Sequence, residues 1–157
     1  MATATKAGKA APKDAIAMLK ADHKKVSALF AEFGKARAPA TKLRLVSTIC
    51  AELSAHAQVE EEMFYPAVKA ALKDKEMIPE AVIEQATMKD LISQIDGVSP
   101  DGEMYDARVK VLAEYVKHHV KEEHTEMFPK AAKTRLDMVA LGAQMAARKS
   151  ELLAGGR

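Results

Sequence analysis

Residues 119–129 read HVKEEHTEMFP, and residues 56–66 read HAQVEEEMFYP. Each stretch places a Glu four residues after a His, Glu123 after His119 and Glu60 after His56, and a Pro ten residues after it. The neighbouring residues are good helix formers, so the question is which way these polar groups point. Upstream of the later stretch, Val109, Leu112, Val116, His119 and Glu123 are spaced by threes and fours. Around the earlier one, Val46, Ile49, Leu53, His56, Glu60, Met63 and Ala67 keep the same rhythm. That alternation marks the buried seam of a bundle helix. Both His–Glu pairs therefore belong in a core.

Working outward, the same seam appears twice more. Ile16, Leu19, His23, Val26, Phe30 and Phe33 form one, and Ile78, Val82, Gln85, Met88, Ile92 and Ile95 another. His23 precedes His56 by 33 residues and Gln85 precedes His119 by 34, so the chain reads as a two-fold repeat of helix pairs. Gln85 stands where the first half has His23. Pro and Gly set the boundaries. Helices are expected from Pro12 to about Arg37, from Ala40 to about Lys73 with a local kink at Pro66, and from about Pro79 to Gly97. A fourth runs from about Glu103 to Lys133, and Thr134 and Asp137 cap a fifth that ends near Leu153. The fold class is all-α: an antiparallel, up-down four-helix bundle with an additional C-terminal helix. Residues 1–11 are expected to be a disordered tail, 12–133 the bundle, and 134–157 the last helix and a short tail.

Composition narrows the function classes. The 157 residues suit one domain with a real core, and aromatics at 4% with no Trp favour helices over sheets. A net charge of +2, with basic and acidic residues interspersed, marks neither a nucleic-acid groove nor a polybasic membrane patch. Cys50 is the one cysteine, on an apolar helix face, which excludes an internal disulfide and a thiolate cluster. No apolar run approaches a membrane span and no signal peptide is visible, so a cytoplasmic protein is expected.

An isolated ionised carboxylate in a core neutralises or finds a partner. Two glutamates and three histidines at one level could satisfy one another as a polar layer. A divalent cation satisfies them better, because His at i and Glu at i+4 share a helix face. Two copies in seam phase favour the cation. The donor mixture suits iron, manganese or zinc rather than magnesium or calcium. The surplus groups read differently. His118 and Glu122 continue a flanking stripe and His124 follows Glu123 by one step; all three are candidates to support the ligands from outside. Glu61, Glu62 and Glu126 fit a solvated face, and Tyr65, Tyr105 and Tyr115 are packing residues, any of them able to donate to a ligand or act as a redox neighbour.

With these residues in hand, the chain resembles the hemerythrin-like HHE cation-binding family over about residues 12–133. The resemblance implies a non-haem di-iron centre in the bundle core. By position, His23 and His56 would terminate one iron, His119 the other, and Glu60 and Glu123 would bridge them. The family pattern calls for a His at Gln85, which as an amide would be a weak ligand or hold a water. The implied cofactor is two irons, or one iron or zinc if that position fails. The implied partner is a small molecule, O2, peroxide or nitric oxide, with peroxide decomposition a concrete activity. The alternatives are a non-catalytic metal- or oxygen-responsive module, with the fifth helix as effector or dimer element, and a single-metal structural bundle.

Overall fold

The computed structural model describes residues 14–155, all of whose regular elements are helical. The expected tail and the start at Pro12 lie outside these residues. Helix α1 (Ala15–Lys35) opens at Asp14, whose side chain accepts the Ala17 N–H at 2.8 Å. After a short turn, α2 (Pro39–Val59) begins with Pro at its first position, where a missing N–H costs nothing. Helix α2 passes through a π turn at Glu60–Phe64 into α3 (Tyr65–Leu72), which ends on left-handed Lys73. Helix α4 (Met77–Ser93) starts two residues before Pro79, with the Asp74 carboxylate accepting from the Met77 and Ile78 N–H groups. Helix α5 (Glu103–Glu122) repeats the device: a π turn at Glu123–Met127 leads into α6 (Phe128–Ala132). Helix α7 (Met138–Ala154), capped by Asp137, packs on α1, α2 and the first π turn.

Four antiparallel rods thus make the bundle, α1, α2–α3, α4 and α5–α6, with α7 laid across one side. Where a local kink is expected at Pro66, the rod carries a π turn just before that residue, and a second π turn lies just before Pro129. In each π turn one N–H reaches back five residues, Tyr65 to the Glu60 carbonyl and Phe128 to that of Glu123. The extra residue shifts every following side chain by one place around the rod. Met63 and Ala67, expected in the seam, are therefore only half-buried, while Phe64, Tyr65 and Val68 fill it. Val82 is also displaced: it is exposed and Ala81 takes its place, which makes the α4 seam a stricter alternation of threes and fours.

The apolar core has two parts. Leu19, Val59, Phe64, Val68, Ile78 and Phe128 belong to one, and Phe33, Val46, Cys50, Ile92, Ile95 and Leu112 to the other. Along every rod the two parts are separated by the polar seam residues, so the polar layer is clamped between two dry plugs.

Candidate metal centre

His23 comes from α1, His56 from α2, Gln85 from α4 and His119 from α5, while Glu60 and Glu123 open the two π turns. All six sit at one level, and Glu60, Glu123 and Gln85 are sealed from solvent. Every candidate ligand named from the sequence is brought to this layer.

The six do not form one cluster but two. In the first, His23 Nε2 lies 3.2 Å from His56 Nε2 and 3.1 Å from Glu123 Oε1, and His56 Nε2 lies 3.3 Å from Glu60 Oε2. One donor atom from each of these four side chains falls within 4.8 Å of all the others. Neither Glu60 Oε2 nor Glu123 Oε1 accepts a well-formed hydrogen bond there. Buried carboxylate oxygens without such a partner carry a desolvation penalty of about 1–3 kcal/mol or more. A cation between the four atoms removes it, so this donor set fits a metal.

The second cluster uses the other oxygen of each carboxylate. Its centre is a residue that the sequence placed in packing, Tyr65. The phenol oxygen lies 2.6 Å from Glu123 Oε2, 3.2 Å from Glu60 Oε1 and 3.0 Å from His119 Nε2. Gln85 donates its amide N–H to Glu60 Oε1 at 2.6 Å and to the Tyr65 oxygen at 3.0 Å. Turning that amide over would set its carbonyl against a carboxylate, so Gln85 acts as a donor here, not through the amide oxygen expected to ligate. That oxygen has no hydrogen-bond partner.

Residues 14–131, most of the chain, match the family model of the "Hemerythrin HHE cation binding domain". The chain belongs to this hemerythrin HHE family. A curated relative from Nostoc sp., named a DNA nickase, is 34% identical over 111 residues, which is 71% of this chain. The chain spans 31% of that relative's length. The crystal structure of an HHE cation-binding domain-containing protein from Mycobacterium kansasii superposes with a TM-score of 0.77. It covers 90% of this chain and 88% of that one at 24% identity, a likeness of fold.

Each of the three imidazoles at the centre of this HHE domain, His23, His56 and His119, has a partner behind it, as metal-binding histidines usually do. His56 donates from Nδ1 to Asp22 at 2.9 Å and His119 from Nδ1 to Glu84 at 2.7 Å, which turns each Nε2 toward the centre. His23 Nδ1 meets His124 Nε2 at 2.8 Å. Asp22 and Glu84 do not stand out in the sequence. Asp22 is the residue before His23, and Glu84 the one before Gln85, and that adjacency is the one hint the sequence holds. His118 stays on the surface, pairing with Glu122 at 3.2 Å and Glu84 at 3.8 Å, so neither it nor Glu122 reaches the centre. Of the surplus glutamates, Glu61 pairs with Lys89 and Glu62 with Arg148.

Electrostatics in the HHE centre follow from crowding two carboxylates into a buried layer. Burial, then the charge of Glu123, pushes Glu60 up to about 7. Burial acts on Glu123 too, but the close approach of the His119 and His23 imidazoles outweighs it and holds that carboxyl well below its ordinary range. Burial works against a charged His119, yet its bond to Glu123 raises it to about 9. His56 rises likewise, with the Glu60 charge and the Asp22 bond overcoming burial. Protons on these imidazoles thus do for the carboxylates what a cation would do. Burial and both carboxylate charges keep the Tyr65 phenol protonated.

Among the described residues no helix is long and apolar enough to cross a membrane. A cavity of about 30 Å³ adjoins the centre, walled by Val26, Leu53, Met88, Ile92, Val116 and Val120 beside His23, His56 and His119. A second, polar one of about 60 Å³ reaches His119 and Glu123 from between Glu80, Glu84, Glu122 and Glu126.

Proposed function

We propose that this chain is a non-haem di-iron protein that binds or reacts with a small oxidant or diatomic ligand, O2, peroxide or nitric oxide, in its bundle core. The observation that supports this reading best is the division of carboxylate oxygens. Glu60 turns Oε2 to His56 and Oε1 to the Tyr65–Gln85 side, and Glu123 turns Oε1 to His23 and Oε2 to the Tyr65–His119 side. Two carboxylates that each serve two clusters are suited to bridge two cations, as in carboxylate-rich metal bundles.

In this reading His23 and His56 hold one iron, and His119, with Tyr65 beside it, the other. Iron supplies the change of oxidation state that a peroxide or dioxygen reaction needs. The chain's own residues do the rest. Asp22 and Glu84 fix the imidazoles, and Tyr65 keeps a proton 2.6 Å from Glu123 Oε2. The valine, leucine and isoleucine wall keeps bulk water out, and a cavity of about 30 Å³ suits a two-atom ligand or peroxide rather than an organic substrate. Peroxide decomposition to dioxygen and water is the concrete version. We propose a cytoplasmic setting with neither nucleic acid nor membrane as partner. The nicking activity in the Nostoc relative's name is that protein's, and a net charge of +2 gives this chain no strong basic excess for a nucleic-acid partner.

The test is metal content after anaerobic purification from iron-fed cells, followed by oxygen release from added peroxide. About two irons per chain and rapid release, lost in His56→Ala, are the expected results. A single metal, or zinc alone, would instead favour the structural bundle. A metal-responsive module is the second reading, favoured by the contact chain that leads from His56 through Asp22 to α7.

A further inference from the structure

The three ligand imidazoles are not steered alike. His23 and His119 lean on His124 and Glu84, both within the four-rod bundle. His56 leans on Asp22, and the other oxygen of Asp22 accepts from Lys149 Nζ at 2.6 Å. Lys149 belongs to α7. It also reaches Glu52 Oε1 at 3.0 Å, and Glu52 lies one turn before His56 on α2 and takes Lys25 on its other oxygen at 2.9 Å. Asp22 and Glu52 are buried, and one largely buried ammonium supplied from outside the bundle bridges them, the second cationic partner being Lys25 for Glu52 and the His56 imidazole for Asp22.

The neighbouring residue addresses the other ligand of the same rod. Arg148 forms a two-pronged bond to Glu62, from Nε at 2.8 Å and from Nη2 at 3.2 Å. Glu62 is a residue of the π turn that Glu60 opens. Consecutive basic residues of α7 thus hold the backing of His56 and the turn of Glu60. Helix α7 packs chiefly on α1, α2 and the first π turn, and its ion pairs to the bundle fall on this half of the centre. Close packing sets the alignment: Gly142 lies so near the start of α1 that an added Cβ would meet Ala15 N and Asp14 C at 2.7 Å.

We infer that Lys149 and Arg148 are positioning residues for the His56–Glu60 half of the metal centre, so that docking of α7 and metal occupancy of that half are coupled. The inference rests on the metal reading above. Coupling of this kind is reciprocal: what docking adds to metal affinity, metal adds to docking.

The experiment uses the full chain, titrated anaerobically with ferrous iron against a competing chelator so that two binding steps are resolved, with amide exchange of α7 measured in stripped and loaded protein. Lys149→Met is expected to weaken one step by about tenfold or more, the usual effect of removing a residue that backs a ligand, and to leave the other step unchanged. Lys149→Arg is expected to recover most of the loss. Metal should slow amide exchange in α7 of the native protein, and by a smaller factor in Lys149→Met. Should Lys149→Met fail to fold, the half-exposed Arg148→Gln carries the test and is expected to weaken the same step more mildly. The inference is overturned if the variants lose thermal stability while both steps stay native, if both steps weaken equally, or if α7 exchanges identically with and without metal. Native protein that takes up two metals with any of these results overturns this inference alone; native protein that takes up none overturns the metal reading as well.

Discussion

The phenol oxygen of Tyr65 lies 2.6 Å from Oε2 of Glu123, 58 residues further along the chain. It also touches Glu60, His119 and Gln85, so one hydroxyl ties three rods together at the level of the centre. Tyr65→Phe is therefore expected to lower the stability of the metal-stripped protein by about 1–3 kcal/mol, because buried partners are left without their hydrogen bond. Denaturant unfolding reads this directly. On the proposed di-iron reading the same variant should also weaken uptake of one of the two metals, and an unaltered midpoint with unaltered uptake would show Tyr65 to be packing only.

Gln85 leaves His119 as the lone imidazole on its side of the centre. Gln85→His adds a second one in a buried position of similar volume, and on the proposed di-iron reading about a tenfold gain in affinity for the metal on that side is expected, a difference of about 1.4 kcal/mol. Competition with a chelator measures it. Unchanged stoichiometry and affinity would sink the assignment of Gln85 to the second half.

Protons stand in for a cation in the stripped protein, which gives its stability a particular pH dependence. His119 rises from 6.5 to about 9 on folding, chiefly because the bond to Glu123 overcomes burial. A folded value above the unfolded one means the folded state binds the proton more tightly, so the contribution is complete below about pH 6.5 and is lost as pH climbs through 9. Chelator-treated protein should show a falling Tm across that window. His119→Gln should flatten the fall, and a parallel slope in the variant would assign it to another group.

The fit of α7 is tested at Gly142. A Cβ at this position would stand 2.7 Å from both Ala15 N and Asp14 C, so Gly142→Ala forces a methyl against backbone, which cannot be relieved by a rotamer change. A loss of about 1–3 kcal/mol is expected from overpacking, seen as a lower unfolding midpoint. No change in midpoint would mean that α7 shifts freely on α1.

Much of the centre was legible because a helical seam is a local property. A 3-4 alternation fixes which face of a rod is buried, whatever it packs against, and it placed His23, His56, Glu60, Gln85, His119 and Glu123 in the core before any partner was known. Val82 is misplaced by a reading that prefers the larger apolar side chain over Ala81, although Ala81 keeps the stricter alternation of threes and fours and is the buried one.

By itself, then, the sequence determined the helical class, the polar layer and the family, since composition, spacing and paired motifs are all readable along one chain. Tertiary structure decided which donor faces which. The π turns rotate Tyr65 into the centre, against the seam projected through Glu60, because one extra residue in a turn advances every later side chain. Asp22, Glu84 and Lys149 acquire their roles from contacts across 34, 35 and 127 residues, and no local periodicity encodes a distance of that kind.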